Sequence, residues 1–83
     1  MFKVKIYVNL KRGVADPQGI TIKDALYSLN YKEVEEVRMG KYIQLKMEGI
    51  SKEKVEKKVN EMCQKLLVNP VIEEYTYQIE ELK

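Results

Sequence analysis

The chain has 83 residues, 34% of them charged, and 15 Lys and Arg against 13 Asp and Glu leave a formal net charge of +2. It contains no histidine, no tryptophan and a single cysteine. These absences exclude a zinc cage of the usual kind, a Ser–His or Cys–His nucleophile pair and a disulfide scaffold, and the near-neutral balance is a poor footprint for a polyanion partner. One domain over residues 1–83 is expected, since a chain of this length has no room for a second core. No apolar run approaches the ~20 residues of a membrane span. The N-terminus reads as a strand and not as a signal peptide. A reduced, cytoplasmic α+β domain is the expectation from composition.

The first segment alternates, with Phe2, Val4, Ile6, Val8 and Leu10 on one face and Lys3, Lys5, Tyr7 and Asn9 on the other. Period two over nine residues predicts a half-buried strand. A loop follows, in which Asp16, Pro17 and Gly19 occupy the positions a type I turn prefers. Thr21, with Asp24 three residues on, reads as a helix N-cap. Ile22, Ala25, Leu26 and Leu29 form one apolar stripe. Asn30 is placed to end that helix, because Asn tolerates the left-handed conformation. Glu33 to Arg38 reads as a second strand, although Val34 and Val37 have opposite parity. Met39-Gly40 fits a two-residue hairpin turn, and Lys41 to Glu48 reads as a third strand.

Ser51 caps the next helix. Val55, Val59, Met62, Cys63 and Leu66 form its stripe, the strongest helical pattern in the chain. Asn69-Pro70 stops it, since Pro cannot continue a helix and restricts the residue before it. A last strand runs from Val71 to Ile79. The order β-α-β-β-α-β predicts a ferredoxin-like fold: a four-stranded antiparallel sheet, its first and third strands central, with two helices on one face.

That topology gathers three irregular segments at one end: Gly13 to Gly19, Arg38 to Lys41, and Asn69-Pro70. Lys11, Arg12, Arg38 and Lys41 come with them, as does the positive end of the first helix. Tyr7 and Tyr42 fall on the open side of the sheet, either as β-surface residues or as interface anchors. Cys63 lies on an apolar stripe and reads as core. Carboxylate neighbours such as Glu35-Glu36 and Glu73-Glu74 point to opposite faces and make no acid–base pair.

The string Lys11-Arg12-Gly13-Val14-Ala15-Asp16-Pro17-Gln18-Gly19, then Ala25-Leu26, Val37-Arg38-Met39-Gly40-Lys41, Met62-Cys63 and Leu66-Leu67-Val68-Asn69-Pro70-Val71-Ile72-Glu73, resembles the PurS family over essentially the whole chain. That family is the small subunit of phosphoribosylformylglycinamidine (FGAM) synthase, an enzyme of purine biosynthesis. Ala15 stands where the family usually has Leu, and Asn30 where it has Gly.

The resemblance implies a dimeric or higher homo-oligomeric subunit with no active site and no bound cofactor of its own. It would join a large synthetase subunit, which uses ATP and Mg²⁺, to a glutaminase subunit that releases ammonia. Partner docking is expected at Arg12, Gly13, Asp16, Pro17, Gln18, Gly19, Arg38, Lys41, Asn69 and Pro70, and a dimer interface at Tyr7 and Tyr42. No membrane is implied, and no nucleic acid. Two rival readings stand beside this one. The first is a single-strand nucleic-acid module stacking bases on Tyr7 and Tyr42, which lacks the characteristic basic–Gly–aromatic run. The second is a small-molecule-binding regulatory domain, which the fold permits.

Overall fold

The structure is a computed structural model and describes residues 1–82. Its elements are β1 (Phe2–Leu10), α1 (Pro17–Ser28), β2 (Gly40–Met47), α2 (Lys52–Met62), a single π turn over Cys63–Leu67, and β3 (Glu73–Glu81). The sheet is antiparallel in the order β2-β1-β3. Phe2 pairs with Met47 on one side and with Glu81 on the other. The chain is therefore α+β, as the patterning predicts.

The core follows from the alternation of β1. Val4, Ile6 and Val8 are at most 1% exposed, and with Phe2 they meet Val55, Val59 and Cys63 from the helical layer. Tyr75, Tyr77 and Ile79 of β3 pack against the same cluster. Asn60 links α2 to β3: its amide nitrogen donates to the Tyr77 hydroxyl at 3.2 Å, and its amide oxygen accepts from Tyr75 at 2.6 Å. Burial pushes the Cys63 thiol above its ordinary pKa, which is the state of a core residue and not of a nucleophile.

The structure corrects the expectation of a four-stranded sheet. Residues 34–39 form no strand, and β1 alone is central. The opposite parity of Val34 and Val37 is the physical reason, since no register offers both to one face. Met39-Gly40 is not a hairpin turn either, because Gly40 opens β2 and pairs with Asn9. A Cβ at Gly40 would lie 2.6 Å from the Val8 carbonyl oxygen, so close backbone approach explains this glycine.

The second correction concerns the helices. Only α2 lies on the sheet, whereas α1 makes no extended contact with any strand. The molecule measures 51 × 29 × 14 Å. A nine-residue strand of about 30 Å followed end to end by a twelve-residue helix of about 18 Å accounts for the long axis. Thus α1 projects from the end of the sheet, and residues 31–39 return along it as the other half of an arm. The helix begins earlier than expected. Asp16, not Thr21, is its N-cap, with Pro17 at the first helical position. Asn30 does end the arm's outward run, with φ 75°.

Ser51 caps α2 as its sequence predicts. The π turn then alters the phase of the stripe. The Val68 amide reaches back five residues to the Cys63 carbonyl at 2.9 Å, which leaves Leu66 82% exposed while Val68 is buried. Leu66 therefore does not continue the stripe predicted for it, and Leu67 packs against the core instead. Leu66→Ala is expected to change unfolding free energy by no more than ~0.5 kcal/mol. Ile6→Ala is expected to cost ~2–5 kcal/mol. Urea denaturation of both variants measures the contrast.

Candidate functional site: a stapled end of the sheet

The three irregular segments do meet at one end. The Asp16 carboxylate joins two of them. One of its oxygens accepts from the Gly19 amide at 2.9 Å, and the other accepts from the Met39 amide at 2.7 Å. These bonds, the Met39 bond first, hold the Asp16 carboxyl below its ordinary value of 3.8, with the nearby Arg38 charge adding to the effect. Gly19 is buried against the returning segment of the arm, and a Cβ there would collide with the Val37 carbonyl oxygen.

Arg38 faces inward to the chain. Its guanidinium donates to the carbonyls of Leu10 at 2.9 Å and Lys11 at 3.3 Å. The Lys11 amine donates to the Pro70 carbonyl at 2.7 Å, and the Lys11 amide to Ile72 at 2.8 Å. Lys41 pairs with Glu73 at 3.3 Å, and the other Glu73 oxygen accepts from the Asn69 amide at 2.8 Å. That amide bond is the main cause of the lowered Glu73 pKa. Asn69 closes its own turn through Val71.

Arg12, Gly13, Pro17, Gln18, Asn69 and Pro70 remain exposed around this network. Arg12 makes no hydrogen bond or ion pair among the described residues. Asp16 and Gly19 are buried, so they shape the surface without presenting it. Most of the cations picked out in the sequence are therefore staples. Parity and topology gather them at this end, but that Arg38 would turn to backbone carbonyls had no sequence signal.

On the open face Tyr7 and Tyr42 stack, with ring centroids 5.1 Å apart. They are directly opposed across β1 and β2, and the Tyr42 hydroxyl accepts from Gln44 at 2.8 Å. No group of three His, Cys, Asp or Glu side chains comes together in a metal-binding arrangement among the described residues. No helix of the described chain is long and apolar enough to cross a membrane.

Residues 3–81 match the profile of the family described as "PurS: Phosphoribosylformylglycinamidine (FGAM) synthase". The chain belongs to the PurS family. It is 50% identical over 82 residues to the FGAM synthase subunit PurS of Bacillus subtilis, covering 99% of this chain and 96% of that protein. With the subunit from Methanocaldococcus jannaschii it shares 45% over 83 residues, covering both chains in full. Among solved structures, PurS of Bacillus subtilis superposes with a TM-score of 0.89 at 52% identity, covering 98% of this chain and all of that one. A chain of the PurLQS structure from Thermotoga maritima superposes with a TM-score of 0.87 at 40% identity, covering 95% and 96% of the two chains. This PurS chain is thus similar to FGAM synthase subunits of purine biosynthesis along nearly the whole of their length.

Asp16 and Glu73 have lowered pKa values in the folded chain, so each stabilises the fold above its unfolded value and loses that contribution as pH falls through its folded value. Asp16→Asn is expected to lower the Tm near neutral pH. The gap to the parent should narrow as pH drops below 3.8. Thermal melts at a series of pH values check this, and a gap that stays constant with pH would refute it.

Proposed function

We propose that this chain is the non-catalytic small subunit of an FGAM synthase, bridging an ATP-dependent synthetase subunit and a glutaminase subunit. The observation that carries this is the whole-length likeness to a chain of the PurLQS structure. The reaction needs ammonia from glutamine to reach the carbon of an amide whose oxygen the synthetase activates with ATP and Mg²⁺, so that the new C–N bond forms as that oxygen leaves with the phosphate. The small subunit contributes no reacting group to either step. It acts as a self-associating spacer in the cytoplasm, holding the two active sites together so that ammonia is not lost to solvent.

The stapled end is suited to docking. Its backbone is held by Asp16, Arg38, Lys11 and Glu73, so little conformational entropy is lost on binding. Arg12 is the exposed cation there that makes no hydrogen bond or ion pair among the described residues, and it is suited to a bidentate contact with a partner carboxylate. Arg38 and Lys41 act at one remove, by keeping Gly13, Pro17, Gln18, Asn69 and Pro70 in place. On the opposite layer, the stacked Tyr7 and Tyr42 offer a second contact surface between copies.

The test compares amidine formation by the synthetase and glutaminase with and without this chain, using glutamine or free ammonium. Glutamine-driven turnover should require the chain, and ammonium-driven turnover should not. If neither rate depends on it, the assembly reading fails and a metabolite-binding domain becomes the alternative to pursue. Arg12→Ala is expected to weaken association with the partner subunits about tenfold while leaving the Tm unchanged. Arg38→Ala should lower both affinity and Tm. Calorimetric titration and thermal melts separate the two.

A further inference from the structure

The outer face of the sheet carries a graded ladder between β1 and β2. Three successive outward pairs are directly opposed: Tyr7 with Tyr42, Lys5 with Gln44, and Lys3 with Lys46. An aromatic pair gives way to a cation beside an amide, and then to two cations. Outward positions on a strand lie about 6.6 Å apart, so the ladder is about 13 Å long. Its cationic end forms an open cavity of about 580 Å³, lined by Lys3, Gln44, Leu45, Lys46 and Leu82. That volume falls within the range of small-molecule sites.

The side chains of Lys3, Lys5 and Lys46 make no hydrogen bond or ion pair among the described residues. Lys3 is in register with Glu80 of β3 and still forms no ion pair with it. Like charges directly opposed destabilise a sheet, and an anion between Lys3 and Lys46 removes that repulsion. The cations of the stapled end differ, since Lys11, Arg38 and Lys41 are all satisfied within the chain. At the other end of the ladder the stacked rings of Tyr7 and Tyr42 are 37% and 51% exposed. The Gln44 amide nitrogen holds the Tyr42 hydroxyl at 2.8 Å, and the Gln44 amide oxygen is left to accept from a ligand.

We propose that this ladder binds a nucleoside triphosphate, with the base on the Tyr7–Tyr42 pair and the terminal phosphates between Lys3 and Lys46. Every base presents a π face to an aromatic ring, so the stacking tolerates any base. Gln44 accepts from a sugar hydroxyl, and Lys5 meets the first phosphate. Lysine binds phosphate as a point charge and needs no fixed fork geometry. The length of the ladder matches the reach of an extended nucleoside triphosphate from ring to last phosphate, whereas a monophosphate stops at Lys5. A nucleic-acid strand fits less well, because the β3 side of this face carries Glu74 and Glu80. The phosphate end lies at the opposite end of the sheet from the staples, and the ligand is an effector, not a reactant. The assignment goes beyond the assembly reading and does not rest on it. A second copy seated on the same tyrosines would exclude the nucleotide, so the two events oppose each other.

Calorimetric titration of the full chain with MgATP should show saturable binding. AMP and tripolyphosphate each keep only part of the contacts and should bind about tenfold more weakly or worse. Lys3→Gln and Lys46→Gln should each weaken MgATP binding about tenfold. Neither should lower the Tm of the free chain, because each removes a like-charge contact. Lys57→Gln, on α2 in the other layer, should leave the affinity unchanged. Amide shifts in NMR spectra should move along β1 and β2 on adding MgATP and stay fixed on α2.

The proposal is overturned by an absence of saturable binding at millimolar MgATP, or by AMP or tripolyphosphate binding as tightly as MgATP. Full affinity in both lysine variants, or shifts centred on the stapled end, would overturn it equally. A short single-stranded oligonucleotide that binds more tightly than MgATP would also overturn it, and would assign the face to nucleic acid. A chain that binds no nucleotide but is still required for glutamine-driven turnover loses this site and keeps the assembly function.

Discussion

The arrangement of this molecule depends on one buried carboxylate. Asp16 accepts from an amide three residues ahead and from another twenty-three residues ahead. The first bond caps α1, and the second ties the end of the returning segment to the start of the outgoing one. Two long-range bonds from Arg38 then fasten that junction to the end of β1. The chain leaves the sheet and rejoins it at a single rigid root, and the direction of the arm is set there. Glycine is required at position 19 for the same reason, because the returning carbonyl of Val37 occupies the space of a side chain.

With the arm directed outward, the sheet is left half covered. β1 is sealed by α2, and Asn60 locks that layer to Tyr75 and Tyr77. β2 receives no helix of its own. A domain this small has little apolar area to spare, so leaving part of it bare is costly in isolation and reasonable only in an assembly. The bridging role proposed for this chain calls for surfaces more than for pockets.

Much of the fold was legible from the chain itself. The alternation of Phe2 to Leu10, the Ser51 cap, the Asn30 terminator, the burial of Cys63 and the outward Tyr7 and Tyr42 are all local patterns of period two or 3.6. The convergence of the Gly13, Arg38 and Asn69 segments follows from element order, which short connections constrain strongly. The family likeness was legible for a further reason: the loop and turn residues that carry it are those with exacting backbone geometry.

Sequence by itself therefore determined three of the four predicted strands and both helices, the face each of those strands buries and the end at which the irregular segments meet. Tertiary structure alone decided that residues 34–39 form an arm and not a strand, that Leu66 faces solvent, and that Arg38 serves backbone carbonyls. Periodicity and caps are written within a few residues. The path of the arm is set by hydrogen bonds between Asp16 and Met39 and between Arg38 and Leu10, pairs that only the folded chain brings together.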